Sequence, residues 1–304
     1  MLLSTKYPSL TKFLRSTKDQ NKVLCCRLHL DQVINLEVYP INQPHSDRYR
    51  DLVKFHQEQL LQNGVTTLPG LVTKEALDET VKEVEEKADT SFTMKTDHNI
   101  YLKESDKSLD TNHIRNKRLD TKVAALACDE LSEQGPLKVI FRSESFLKFV
   151  QQILNLPSLH RNVDPVGAVF VNIYNDKFSH NWHFDESQWS TTILLQEAEK
   201  GGDFQYTKAF RNEDDETLTY DIAEKVISGD EEHVNTLEFK PGTLNIFQGR
   251  RSLHSVTSCH GPVSRLLGVL HFSQKEGVRN SPGVQELFWG KVVQDRTYEV
   301  TPTM

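Results

Sequence analysis

The sequence predicts a mainly β protein with flanking helices, its strands arranged as a β-sandwich or double-sheet barrel. Three observations carry that reading. Helical periodicity is concentrated before Pro157, short β-rich runs come after it, and glycine-containing turns separate several of those runs, at Gly201-Gly202, Pro241-Gly242 and Gly261-Pro262. Helices first and many short strands later suit a layered β core buttressed by helices. The 304 residues are read as one domain, with mainly helical support over 1–157, the β core over 158–290 and a tail over 291–304.

The first 45 residues show no clear pattern, and Pro40 and Pro44 punctuate loops. A helix is predicted over residues 47–63, with Leu52, Phe55, Leu60 and Leu61 on its apolar side and Gly64 as its stop. The apolar segment 65–72 leads to Thr73, an N-cap, and to a helix ending near residue 88 whose Leu77, Val81 and Val84 face inward. Two further helical regions are expected at 122–131 and 144–154. The β set comprises 166–174, 191–196, 203–206, 237–239, 243–247, 252–258 and 265–272, and the acidic stretch 212–232 interrupts it as a surface insertion.

Apolar residues make up 37% and charged residues 26%, as in an ordinary soluble globular protein. A net charge of -7 argues against nucleic acid as a partner, because phosphate binding needs a positive face. One patch, residues 113–118, is basic enough for a single anionic ligand. Of four cysteines, Cys25 and Cys26 are adjacent while Cys128 and Cys259 stand alone, so neither a CxxC zinc site nor a disulfide framework is visible. The start of the chain lacks the apolar core, roughly 7 to 15 residues long, of a secretory signal. No stretch approaches the about 18 apolar residues of a membrane helix. A cytoplasmic location with no membrane partner is expected.

The stretch "NWHFDESQWS" (181–190) holds the first chemical signal. In a strand, His183 and Asp185 point to one face, and Trp182 and Phe184 to the other. A second histidine, His254, precedes Arg265 by eleven residues across a Gly-Pro turn. Two neutral imidazoles and one carboxylate on one side of a metal leave three coordination positions open, as in non-haem iron(II) oxygenases. A bidentate 2-oxo acid takes two of them and dioxygen the third, and an arginine provides a planar fork for the distant carboxylate.

With these residues the sequence resembles the iron(II)/2-oxoglutarate-dependent dioxygenases. The resemblance implies a double-stranded β-helix, or jelly-roll, core with flanking helices. It implies His183, Asp185 and His254 as the metal triad and Arg265 as the 2-oxoglutarate anchor. Iron(II), 2-oxoglutarate and dioxygen are the implied cofactor and co-substrates, with succinate and carbon dioxide released. A narrower resemblance, to the subgroup of hydroxylases and halogenases acting on free amino acids, rests on "HNIYL" (98–102), "VNIYND" (171–176), "NWHFDESQWS", "GGDFQY" (201–206), "PGTLNIFQGRRSLHSVT" (241–257) and Trp289. Halogenases of that subgroup lack the carboxylate ligand; Asp185 is present here, which implies oxidation without halogenation.

Asn172 and Tyr174, two apart on a predicted strand, are candidates to contact 2-oxoglutarate. Substrate candidates are His180, Glu186, His271 and Trp289, with Arg115 and Arg118 for a substrate carboxylate. His180, three residues before His183, is expected about 10 Å away on the opposite strand face and is not a ligand. His98, like the remaining histidines, is read as ordinary core or surface. The substrate is an amino-acid-like small molecule. A resemblance to kainoid synthases, which close a pyrrolidine ring on an N-prenylated glutamate, adds ring closure beside hydroxylation. Two other classes stay open: a zinc hydrolase or lyase on the same donors, and a jelly-roll binding module without turnover.

Overall fold

The computed structural model describes residues 28–299. Its larger helices are α1 (Asp47–Asn63), α2 (Lys74–Lys87), α3 (Pro136–Arg142), α4 (Glu144–Ile153), α5 (Tyr220–Ile227) and α6 (Pro282–Trp289). The strands used below are β1 (Val65–Leu68), β2 (Phe92–His98), β3 (Leu119–Leu126), β4 (Val169–Tyr174), β5 (His180–His183), β6 (Ser190–Gln196), β7 (Phe204–Tyr206), β8 (Asn235–Leu237), β9 (Leu244–Phe247), β10 (His254–Val256) and β11 (Arg265–Leu270). A seven-stranded antiparallel sheet, in the order β1-β9-β6-β11-β4-β3-β2, faces a four-stranded one, β8-β7-β10-β5. The predicted β core with flanking helices is therefore present. Three of the seven strands, β1, β2 and β3, come from the part of the chain before residue 157.

The predicted Thr73 cap and Gly64 stop hold, and Ser46 supplies a cap that was not expected. Ser46 accepts from the Tyr49 amide at the start of α1, Gly64 ends it at φ 75°, and Thr73 accepts from the Ala76 amide to start α2. The buried side of α1 is Tyr49, Val53, His56 and Leu60, whereas Phe55 and Leu61 are exposed. That face includes a tyrosine and a histidine, which a count of aliphatic residues passes over. Helices α2 and α3 lie on the outer face of the large sheet. Gly268 on β11 sits there against Leu137 of α3, where a Cβ would come within 3.1 Å of a leucine methyl.

Two expectations fail. Residues 122–131 are not helical: Leu119–Leu126 is a strand, paired with β2 on one side and β4 on the other, and only a short 3-10 turn follows at Cys128–Glu130. A short apolar run suits either state, and two neighbouring strands decided it. The partner strand Phe92–His98 is polar and was not expected at all. The acidic insertion also does more than cover the surface. Its helix α5 buries Ala223 and Val226 in a second small core with Tyr101, Phe184 and Leu253.

Cys128 and Cys259 are buried free thiols; Cys25 and Cys26 lie outside the described residues. No described helix is long and apolar enough to cross a membrane.

Candidate metal centre

The smaller sheet brings the first two candidate ligands together. Strand β5 ends on His183 and β10 begins on His254, and the two are direct cross-strand partners. The chain then bends, and the Asp185 amide donates to the Gly249 carbonyl. Asp185 Oδ1 lies 3.5 Å from Nε2 of both His183 and His254, and the three ligand atoms lie within 4.8 Å of one another. Two donors each about 2.1 Å from one ion at right angles sit about 3 Å apart, so this set fits a metal with little adjustment.

The backbone sets the ring tautomers. His183 Nδ1 lies 2.7 Å from the Asn181 carbonyl and His254 Nδ1 lies 2.9 Å from the Ser252 carbonyl. Each Nδ1–H donates to its carbonyl, which leaves the Nε2 lone pair facing Asp185. Burial lowers the His183 pKa and favours the neutral, ligating form. Burial opposes the charge on Asp185, while the facing His254 and His183 rings, when they carry a proton on Nε2, pull its carboxyl well below the usual range; with both rings neutral that stabilisation falls to the cation they would hold. The outer oxygen of Asp185 accepts a short hydrogen bond from Ser190. Gly249 closes the same side: a Cβ there would lie 2.2 Å from that oxygen. Neither Ser190 nor Gly249 was singled out from sequence, since each matters only through a carboxylate it meets in space.

His180 is not where strand alternation puts it. His254 pairs with His183 but Val256 pairs with His180, so three steps on β5 oppose two on β10. This irregularity turns His180 onto the face of its neighbour. The two rings stack with centroids 3.9 Å apart at 15°. His98 on β2 meets both edge-on at 6.0 and 5.9 Å, so its ordinary-core reading needs revising: it is buried, but against the site.

Arg265 opens β11 opposite Tyr174 of β4, with its guanidinium 5.4 Å from the tyrosine ring. It is 3% exposed, and its Nη1 has no partner within the protein. Burial pushes the Tyr174 phenol up to about 12, so it is a hydrogen-bond donor. Asn172 shares the inward face of β4 with Tyr174 by the two-residue period. At the other end of β11, His271 meets Phe170 at 5.2 Å, and Trp289 of α6 meets the same ring at 5.2 Å. Asp164 holds α6 in place by accepting from Gln285 at 2.8 Å.

The remaining candidates are engaged elsewhere. Glu186 is exposed, and its carbonyl accepts from Arg250. Arg115 pairs with Glu216 at 3.3 Å and lies over Tyr101, behind Phe184. Arg118 pairs with Asp97 at 2.9 Å on the exposed strand edge. The geometry thus brings together His183, Asp185, His254 and His180, while Arg115 and Arg118 already have carboxylate partners from the protein.

A family model described as HalD, Halogenase D, matches residues 49–286, well over half of the chain. The chain belongs to the halogenase D family. Among solved structures, this halogenase D family member is similar to the non-heme alpha ketoglutarate dependent epimerase SnoN from nogalamycin biosynthesis. Identity is 11% and the TM-score 0.55, over 84% of this chain and 96% of that one. It is also similar to AviO1 from Streptomyces viridochromogenes Tue57, at 11% identity and a TM-score of 0.51, over 75% and 97% of the two chains. Identities this low speak for a shared fold only. No curated protein matches the chain.

Proposed function

We propose that this halogenase D family member is an iron(II)/2-oxoglutarate-dependent oxygenase. It removes hydrogen from an aliphatic C–H bond of a free amino acid or amino-acid derivative, ending in hydroxylation or oxidative ring closure. Asp185 carries the proposal. A carboxylate oxygen equidistant from two imidazole nitrogens completes a two-histidine, one-carboxylate triad and leaves no vacant protein position for a halide ligand. When bound, iron(II) with 2-oxoglutarate and dioxygen supplies the oxidising power.

The chain's own residues bind, orient and exclude water. His183, Asp185 and His254 would hold the ion, and Arg265, with Tyr174 and Asn172 beside it, the distant carboxylate of 2-oxoglutarate. Phe170, Val269 and Trp289 form an apolar cluster at the His271 end, which supports a water-poor site for the reacting carbon. His180, His271 and Trp289 are the proposed substrate contacts, with Glu186 at the rim for an ammonium group. Arg115 and Arg118 would serve a substrate carboxylate by exchanging Glu216 and Asp97 for it. Kainoid-type closure of an N-prenylated glutamate is the most specific form of the proposal.

Anaerobic protein with iron(II) and 2-oxoglutarate should develop a weak visible charge-transfer band. A zinc hydrolase or a binding module without turnover gives none. With oxygen and a panel of amino acids and N-prenyl glutamates, succinate release should accompany a substrate gain of one oxygen atom or a loss of two hydrogens. No succinate above background with any member of the panel, and no band, would reject the proposal.

A further inference from the structure

Strand β9 lies between β1 and β6 in the large sheet. The ring of Phe247, its last residue, lies 4.9 Å from His254 and 5.0 Å from Phe204, both on the smaller sheet. Phe247 therefore points between the sheets, and by the two-residue period Asn245 and Thr243 point there too. Asn245 is 1% exposed, yet neither its Nδ2 nor its Oδ1 has a hydrogen-bond partner within the protein; the hydroxyl of buried Thr243 has none either. Burying an amide with both ends unpaired costs free energy that an aliphatic residue of the same size avoids.

The position of Asn245 says what it faces. Its cross-strand partner is Thr192 of β6, which in turn pairs with Val269 of β11. Val269 lies on that strand between Arg265, whose Nη1 is also unpaired, and His271. Phe247, one inward step beyond Asn245, abuts the metal ligand His254. The amide thus stands at a level between the triad and the buried guanidinium, on the wall of the same interior.

We propose that Asn245 is a binding residue for the 2-oxo acid co-substrate, its Nδ2 donating to an oxygen of the bound acid. This deepens the oxygenase reading and rests on it. An amide suits the place better than a second cation: it donates without adding charge beside Arg265 and the metal.

The test uses full-length protein and the near-isosteric variant Asn245→Leu. Three readouts are taken: the melting temperature without metal, the Kd for a metal probe such as cobalt(II), and the Kd for 2-oxoglutarate from the anaerobic iron(II) charge-transfer band. The expected result is an unchanged metal Kd, an equal or higher melting temperature and a 2-oxoglutarate Kd raised about tenfold or more. An unchanged 2-oxoglutarate Kd overturns the inference and leaves the amide serving internal water alone. If the leucine variant does not fold, Asn245→Ala is titrated in the same way and read by the same criterion. Wild-type protein that binds no 2-oxoglutarate at all defeats the oxygenase reading itself, which separates the two failures.

Discussion

His180 lies face to face with His183, the ring centroids 3.9 Å apart. An imidazole so placed restricts rotation of the His183 ring about the axis that aims its Nε2 at the proposed metal position. His180→Ala should weaken metal binding about tenfold, the lower end of the effect of groups that orient metal ligands, and His180→Phe should restore most of it. Cobalt(II) titration of the three proteins measures this. Equal affinities would show that the stack does not orient His183, whatever His180 does for a substrate.

Ser190 and Gly249 confine the outer oxygen of Asp185. Removing the Ser190 hydroxyl should lower metal affinity about 10- to 100-fold, with Ser190→Thr retaining more than Ser190→Ala. Gly249→Ala should be worse than either, because its Cβ would fall 2.2 Å from a carboxylate oxygen and 2.6 Å from the Ser190 hydroxyl. The same cobalt titration checks the order.

Asp185→Ala and Arg265→Ala should separate. The first removes a proposed metal ligand and should abolish substrate oxidation. The second leaves the triad in place and should chiefly raise the concentration of 2-oxoglutarate needed, since a charge-assisted fork to a buried carboxylate is lost. Succinate formation measured against 2-oxoglutarate concentration distinguishes them, and full activity in either variant would refute the role assigned to that residue.

His56 predicts an acid-sensitive fold, at a position remote in sequence from the metal ligands. It is 3% exposed and 2.8 Å from the Thr66 hydroxyl, and burial lowers its pKa to about 4. Below about 6.5 the unfolded chain gains a proton that the native imidazole refuses until about pH 4. Stability is therefore complete above about 6.5 and declines as pH falls through that window, by on the order of 3 kcal/mol for this group. Urea unfolding at several pH values should show a shallower decline for His56→Gln than for the wild type. Parallel pH profiles would contradict the assignment.

Much of the centre was legible in the sequence because its signals are local or periodic. His183 and Asp185 are two apart, Asn172 and Tyr174 share a strand face, and Arg265 opens a strand one Gly-Pro turn beyond His254. The helix cap at Thr73 and the helix stop at Gly64 are likewise properties of a few adjacent residues. Such features need only local pattern and the chemistry of side chains, so the mainly β class followed from them, while the choice of His254 as third donor and of Arg265 as anchor came with the family resemblance.

Tertiary structure decided the rest, because it rests on contacts between residues far apart in the chain. Flanking strands made 119–126 a strand where local propensity suggested a helix. One irregular step between β5 and β10 moved His180 from the far face to the stack on His183. Glu216, about a hundred positions after Arg115, occupies that guanidinium. Asn245, an unremarkable polar residue in "PGTLNIF", became significant only when two sheets closed over it and gave its amide nothing to bind. Register, ion pairing and unpaired burial depend on which segments meet, and no single segment encodes that.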